Sequence, residues 1–192
     1  MDTLDRCPWC GHDPLYTAYH DTEWGVPLHS EHGWYERIVL ETMQAGLSWI
    51  TVLRKRAHYR TVCHQFDPSI VATYTESDID RLMADSGIIR NRAKITAMVH
   101  NASAFLELQQ RYGSVDAFFW RYVDGVPLQP QRQQMRDVPA ITPLAEQLAR
   151  DLKTHRFRFV GPTMCYALMQ ATGLINDHLV TCHRYQHLAT PS

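Results

Sequence analysis

Between Asp13 and Arg60 the chain concentrates the residue types that can hold a flat, polar ring. Tyr16, Tyr19, Trp24 and Trp49 offer flat faces, Glu41 a carboxylate for a ring edge, and Leu47 an apolar tip. Arg54, Lys55, Arg56 and Arg60 come close by, a cationic run suited to phosphates. Drawing a nucleobase out of a stacked helix needs this combination: stacking faces, an edge reader, and a wedge that holds the gap. The same types at helical spacing also build an ordinary aromatic core. Spacing does not choose between the two.

A second chemistry-bearing set lies at the chain ends. Cys7 and His20 stand near the start, His178 and Cys182 near the end. The last two are four apart, so on a helix they share a face and can hold one ion. Two thiolates and two imidazoles form a closed tetrahedral set of the structural zinc kind, which would tie the two termini together. Cys10, His12, His183 and His187 are equally available, and Cys7-Pro8-Trp9-Cys10 has the spacing of a zinc knuckle or a redox pair. No βαβ pattern surrounds that pair, which argues against the redox reading.

The elements that must position these groups are helices. Apolar residues recur at three and four from Ile95 through Met98, Val99, Ala102, Phe105 and Leu106. Ser77 with Asp80 resembles a capping box, and Thr142-Pro143 an N-cap and first-turn proline ahead of Leu144, Leu148 and Leu152. Gly161-Pro162 opens a further helix that Gly173 closes, and 31–45 is helical with Ile38, Val39 and Met43 inward. Phe157 to Val160 is the one weak strand candidate. The chain is expected to be all-α. Between the middle helices, Asp85-Ser86-Gly87-Ile88-Ile89-Arg90-Asn91 forms a short turn followed by Arg92 and Lys94. Such a turn suits a hairpin set against a phosphate backbone, though an ordinary helical turn has the same pattern.

Bulk properties set outer bounds. The 192 residues suffice for one well-buried core, or two small lobes sharing a cleft. With 19 basic and 20 acidic side chains the net charge is −1, so any nucleic-acid surface must be a local patch. No apolar stretch approaches the roughly 20 residues of a membrane span, and no signal-peptide pattern opens the chain, so no membrane partner and a cytoplasmic location are expected. Five cysteines, an odd number, argue against a disulfide framework, and Cys63 and Cys165 read as core residues.

Several strings resemble the bacterial 3-methyladenine DNA glycosylase I family: Asp13-Pro14-Leu15-Tyr16, Tyr19-His20-Asp21, Glu23-Trp24-Gly25-Val26-Pro27, and Gln44 through Leu53. Gly87-Ile88-Ile89-Arg90, Phe159-Val160-Gly161, Met169-Gln170-Ala171 and Asn176-Asp177-His178 continue the match, in order, to Cys182. The resemblance implies a helix-hairpin-helix fold as a single unit over 1–192, monomeric, acting on double-stranded alkylated DNA. It implies one structural Zn2+ on Cys7, His20, His178 and Cys182, and so selects among the candidate ligands. It places the base-pocket acid at Glu41, the base-binding aromatics at Tyr16, Tyr19, Trp24 and Trp49, and DNA contacts at Leu47, Gly87, Arg90, Arg92 and Lys94. The expected reaction is flipping and hydrolytic release of 3-methyladenine without a strand-cleaving step. The hairpin departs from the wider superfamily in having Ile88-Ile89-Arg90 rather than a glycine-rich turn, and no acid takes the role of a cleft aspartate. Residues 129–140 and the tail after Arg184 match little and are expected to be loop or disorder. The competing classes are a zinc-stapled DNA-binding module without catalysis, and a zinc hydrolase.

Overall fold

The computed structural model describes residues 4–189. Ten α-helices follow one another: α1 (Pro14–Thr22), α2 (Glu31–Gln44), α3 (Trp49–Val62), α4 (Pro68–Val71), α5 (Glu76–Ala84), α6 (Arg92–Tyr112), α7 (Val115–Trp120), α8 (Pro143–Thr154), α9 (Pro162–Ala171) and α10 (His183–Ala189). Among the described residues there is no strand, only a bridge pairing Leu128 with Ile175.

Short polar side chains start most of these helices. Asp13 accepts from the Leu15 and Tyr16 amides at α1, Ser30 caps α2, Asn91 caps α6, and Thr142 caps α8 ahead of Pro143. The capping box at α5 is formed by Thr75 and Asp78, two residues before the expected Ser77 and Asp80. Thr75 has the extended backbone an N-cap requires, and Ser77 already lies inside the helix. Phe157 to Val160 is not a strand: left-handed backbone at Arg156 and Phe159 breaks any extended run. After Arg184 the described residues, through Ala189, are helical, within α10, and the rest of the expected tail lies outside the described residues. Residues 129–140 are irregular apart from a 3-10 turn at Met135–Asp137.

Helix α2 is the centre of the molecule. Trp34, Tyr35 and every residue from Ile38 to Met43 are buried, because α3, α6, α7 and α9 surround it. Its first residue ties it down: the Glu31 carboxylate accepts from the Val115 and Asp116 amides at the start of α7. At its other end the ammonium of Lys94 donates to the carbonyls of Met43 and Ala45, at 2.9 and 2.6 Å. A cation there satisfies carbonyls that a helix end leaves open.

The segment after α1 is docked on α9 by backbone hydrogen bonds. Gly25 N–H donates to the Gln170 carbonyl and Leu28 N–H to that of Thr172. Gly173 permits this approach. Its φ is +73°, and a Cβ there would meet Pro27 N and Val26 C at 2.5 Å. Gly173→Ala is expected to destabilise the protein by on the order of 2–4 kcal/mol, combining left-handed strain with overlap against unyielding backbone. Thermal melting checks this, and an unchanged midpoint would show that the 24–28 segment is free to move.

Candidate base pocket and metal centre

Glu41 lies on the last turn of α2, 4% exposed, and its carboxylate has no hydrogen-bond partner among the described residues. It faces a cavity of about 270 Å³. Tyr16 and Tyr19, three apart on α1, line this cavity with Trp24 from the turn after α1 and Trp49 from the first position of α3. The Tyr19 and Trp49 rings lie 5.2 Å apart. Burial pushes the Glu41 carboxyl up to about 8, while the Arg37 guanidinium, one turn earlier on α2, pulls it back. Arg37 itself donates to Glu23, which also receives both Arg56 nitrogens, and it sits 5.5 Å over the Tyr19 ring. The acid thus stands alone in an aromatic chamber with a half-buried ion-pair cluster behind it.

Other lining residues escaped the sequence reading. Trp9, from the 3-10 turn Pro8–Cys10, meets Tyr16 at 5.2 Å and Trp24 at 4.9 Å. Its only sequence cue was its place between two cysteines. Gln170 and Ala167 come from α9, and Met135 and Val138 from the irregular 129–140 segment. Asp177 also lines the wall, but its oxygens are taken by Arg132, Gln170 and the Tyr166 hydroxyl. Three donors to one carboxylate, two of them on Oδ2, make this residue a brace between α9 and the 129–140 segment.

Behind the chamber, Cys7, His20, His178 and Cys182 are all buried and bring their ligand atoms within 4.8 Å of one another. Cys7 Sγ lies 3.6 Å from His178 Nδ1; Cys182 Sγ lies 3.5 Å from both His178 Nδ1 and His20 Nε2. A tetrahedral ion with bonds of about 2.3 Å to sulfur and 2.0–2.1 Å to nitrogen would give S···N edges of roughly 3.6 Å. The outward ring nitrogens are also placed as metal ligands require: His20 Nδ1 is 2.7 Å from Asp21, and His178 Nε2 is 3.0 Å from the Trp24 carbonyl. Arg6 and His183 hold Asp21 in turn. The cluster can hold a metal. His178 and Cys182 meet through a turn closed by Cys182 N–H on the Leu179 carbonyl, where a shared helix face was expected. Cys10 is turned away, its thiol on the Cys7 carbonyl.

The hairpin between α5 and α6 has the expected form, with Ile88 buried, but its polar groups are used differently from expectation. Gly87 N–H donates to Asp85 and Ile89 N–H to the Tyr59 hydroxyl, so neither is open to a phosphate. A Cβ on Gly87 would lie 2.3 Å from the His58 ring, which makes this glycine a packing requirement. Lys94 is 6% exposed and bound to two carbonyls, so its expected phosphate contact is replaced by a structural one. Arg92 pairs with Glu76 and Asp80 on the surface. Arg90 is exposed, with no acidic partner among the described residues. Leu47 is 41% exposed, just beyond Gly46, whose φ is +78°.

A family model described as methyladenine glycosylase matches residues 9–185. The chain belongs to this family. DNA-3-methyladenine glycosylase 1 of Escherichia coli is 48% identical over 182 residues, spanning 95% of this chain and 97% of that one. A crystal structure of a 3-methyladenine DNA glycosylase I superposes with a TM-score of 0.91 at 49% identity, covering 93% of this chain and 98% of the other. The 3-methyladenine DNA glycosylase I of Staphylococcus aureus, solved to show how it recognises 3-methyladenine, gives 0.91 at 37% identity, covering 95% and 97%. The aromatic chamber around Glu41 has walls of the kind that can grip a flat base.

Proposed function

We propose that this protein is a base excision repair glycosylase that flips 3-methyladenine from alkylated duplex DNA and releases it by hydrolysis. The observation that carries this reading is Glu41: a buried, partnerless carboxylate in an aromatic chamber, with Arg37 behind it. A buried acceptor without a partner is costly unless a ligand completes it. The relatives' names supply the ligand class.

Methylation at N3 makes adenine cationic and its glycosidic bond weak. Tyr16, Tyr19, Trp24 and Trp49 stack on the extruded ring, and Glu41 accepts a hydrogen bond from its exocyclic amine while balancing its charge. Stacking contributes on the order of 1–3 kcal/mol per aromatic contact and the charge-assisted bond roughly 1.5–3 kcal/mol. The bond between C1′ and the base breaks with its electron pair going to the base, which leaves neutral. Water adds to C1′ and loses a proton. An unmodified adenine lacks the positive charge that makes this departure easy, so a mistaken flip is unproductive. Among the described residues no lysine lines the chamber around Glu41, and Lys94 is held by two carbonyls, which supports release of the base without a Schiff base or strand cleavage.

The duplex is gripped at the hairpin. Asn91 caps only the Lys94 amide, leaving the Arg92 and Ala93 N–H groups at the α6 N-terminus without a protein partner, beside exposed Arg90. A phosphate fits there. Leu47 fills the gap in the stack; burying what it now exposes is worth about 1 kcal/mol. Leu47→Ala is therefore expected to weaken binding to abasic duplex about fivefold, and equal affinity would remove the wedge role.

The metal is Zn2+, one per chain, held by Cys7, His20, His178 and Cys182. Four protein ligands leave no position for a reacting water, so the ion supplies structure only. One continuous apolar cluster from Tyr19 to Ile175 supports a single folded unit, and the proposed acting form is the monomer. No helix of the described residues is long and apolar enough to cross a membrane. The deciding experiment incubates the protein with methylated duplex DNA and identifies what is released. Free 3-methyladenine with uncut strands is expected. Binding without base release would favour a damage-binding module instead.

A further inference from the structure

Phe159 is held in a position that folding alone does not explain. It lies in the loop between α8 and α9, flanked by buried Phe157 and Val160, yet it is 44% exposed. Its φ is +58°, in the left-handed region that is an outlier for a bulky L side chain. The surrounding structure imposes this. Asn101, 1% exposed on α6, donates through Nδ2 to the Arg158 carbonyl at 3.0 Å and accepts from the Arg158 amide at 2.8 Å. His100 Nε2 lies 2.8 Å from the Arg156 carbonyl. Two consecutive α6 side chains thus fix the backbone that presents an aromatic ring to solvent. Glycine or asparagine would occupy this backbone with less strain, and an exposed ring adds little to the core.

The ring faces a groove of about 610 Å³ whose walls also include Leu47, Gly46 and Met164, and which runs into Glu41 and Gln44. The groove is therefore continuous with the base pocket, and Leu47 and Phe159 are its two exposed large apolar groups. Lys153 lines the same groove and Arg158 adjoins it; both are exposed and lack an acidic partner among the described residues. Unpaired cations beside an apolar channel suit a nucleic-acid strand.

We propose that Phe159 is a positioning residue that stacks on a base face uncovered when the damaged nucleotide leaves the duplex. This rests on the glycosylase reading. An aliphatic side chain such as Leu47 fills the vacated volume, whereas an aromatic ring replaces lost stacking on a neighbouring base. Arg158 and Lys153 hold the adjoining phosphates.

The test compares Phe159→Ala and Phe159→Trp with the parent. Affinity for a duplex with a stable abasic analogue, and kcat/KM for excision from methylated duplex, are expected to fall about tenfold in Phe159→Ala and to return in Phe159→Trp. Affinity for free 3-methyladenine and for undamaged duplex should stay at parent values, which a general loss of structure would not allow. If Phe159→Ala fails to fold, Phe159→Asn, suited to the left-handed backbone, serves in its place. Parent-like abasic binding and excision in the folded variant would overturn the proposal. Were the parent to release no base, the glycosylase reading would fall, while the abasic-duplex comparison would still judge Phe159.

Discussion

Glu41→Gln is expected to lower single-turnover excision of 3-methyladenine by about 10- to 150-fold while leaving affinity for undamaged duplex within twofold, the factor corresponding to one charge-assisted hydrogen bond. The amide keeps the shape of the carboxylate but cannot balance a cationic ring, and it presents a donor where the exocyclic amine also donates. Excision by the variant at the parent rate would show that the aromatic walls alone recognise the base.

The same residue ties activity to pH. Burial pushes the Glu41 carboxyl up to about 8, and the role proposed for it uses the ionised form. In the free enzyme kcat/KM should therefore rise with pH through about 8, and Glu41→Gln should erase that limb. A cationic base in the chamber favours the carboxylate, so the limb in kcat should lie at lower pH. Stability runs the other way. Between the ordinary carboxyl range and about 8 the folded protein binds a proton that the unfolded chain has released, so stability falls as pH rises across that interval. Glu41→Gln should accordingly raise the melting midpoint above pH 8 and leave it unchanged below about 4. A midpoint shift of equal size at both ends would show that the Glu41 carboxyl titrates alike in the folded and unfolded chain.

Sequence patterns carried the local structure well wherever one residue type has one mechanical use. Thr142-Pro143, the inward set Ile38, Val39 and Met43, and the apolar stripe from Ile95 each specify a helix by capping or periodicity, and the structure has all three. Patterns failed where tertiary partners decide. Lys94 looks like a phosphate ligand because charge after a hairpin usually faces solvent; only the fold reveals the Met43 and Ala45 carbonyls above it. Asp177 reads as an acid in a familiar string, and its bracing role depends on Arg132, 45 residues away. Trp9 has no periodic context at all. The 129–140 segment has little pattern, yet it brings Met135 and Val138 to the chamber. Aromatics and an acid clustered in sequence did converge on one cavity, because α1, α2 and α3 are consecutive and short connections keep them adjacent.

Stripping the metal, or replacing Cys182 by serine, is expected to lower the melting midpoint by on the order of 10 °C or more, since structural zinc binding contributes folding free energy outright. With the proposed ion in place, the four ligands would join residues 7 and 20 to 178 and 182, so its loss would free both chain ends at once. The damage should also reach the base pocket. His178 holds the Trp24 carbonyl and its ring lies 4.6 Å from the Trp24 ring, while the Trp9 ring lies 5.2 Å from that of His20. Two walls of the chamber thus rest on two metal ligands, and affinity for free 3-methyladenine should fall together with the loss of bound metal. Stability and base binding unaffected by complete metal removal would refute this coupling. A closed site further requires that cobalt-substituted protein excise at the rate of the zinc form, because the ion never touches the substrate. A rate that follows the identity of the metal would instead place the ion in the reaction, and the four-ligand assignment would have to yield a position to water.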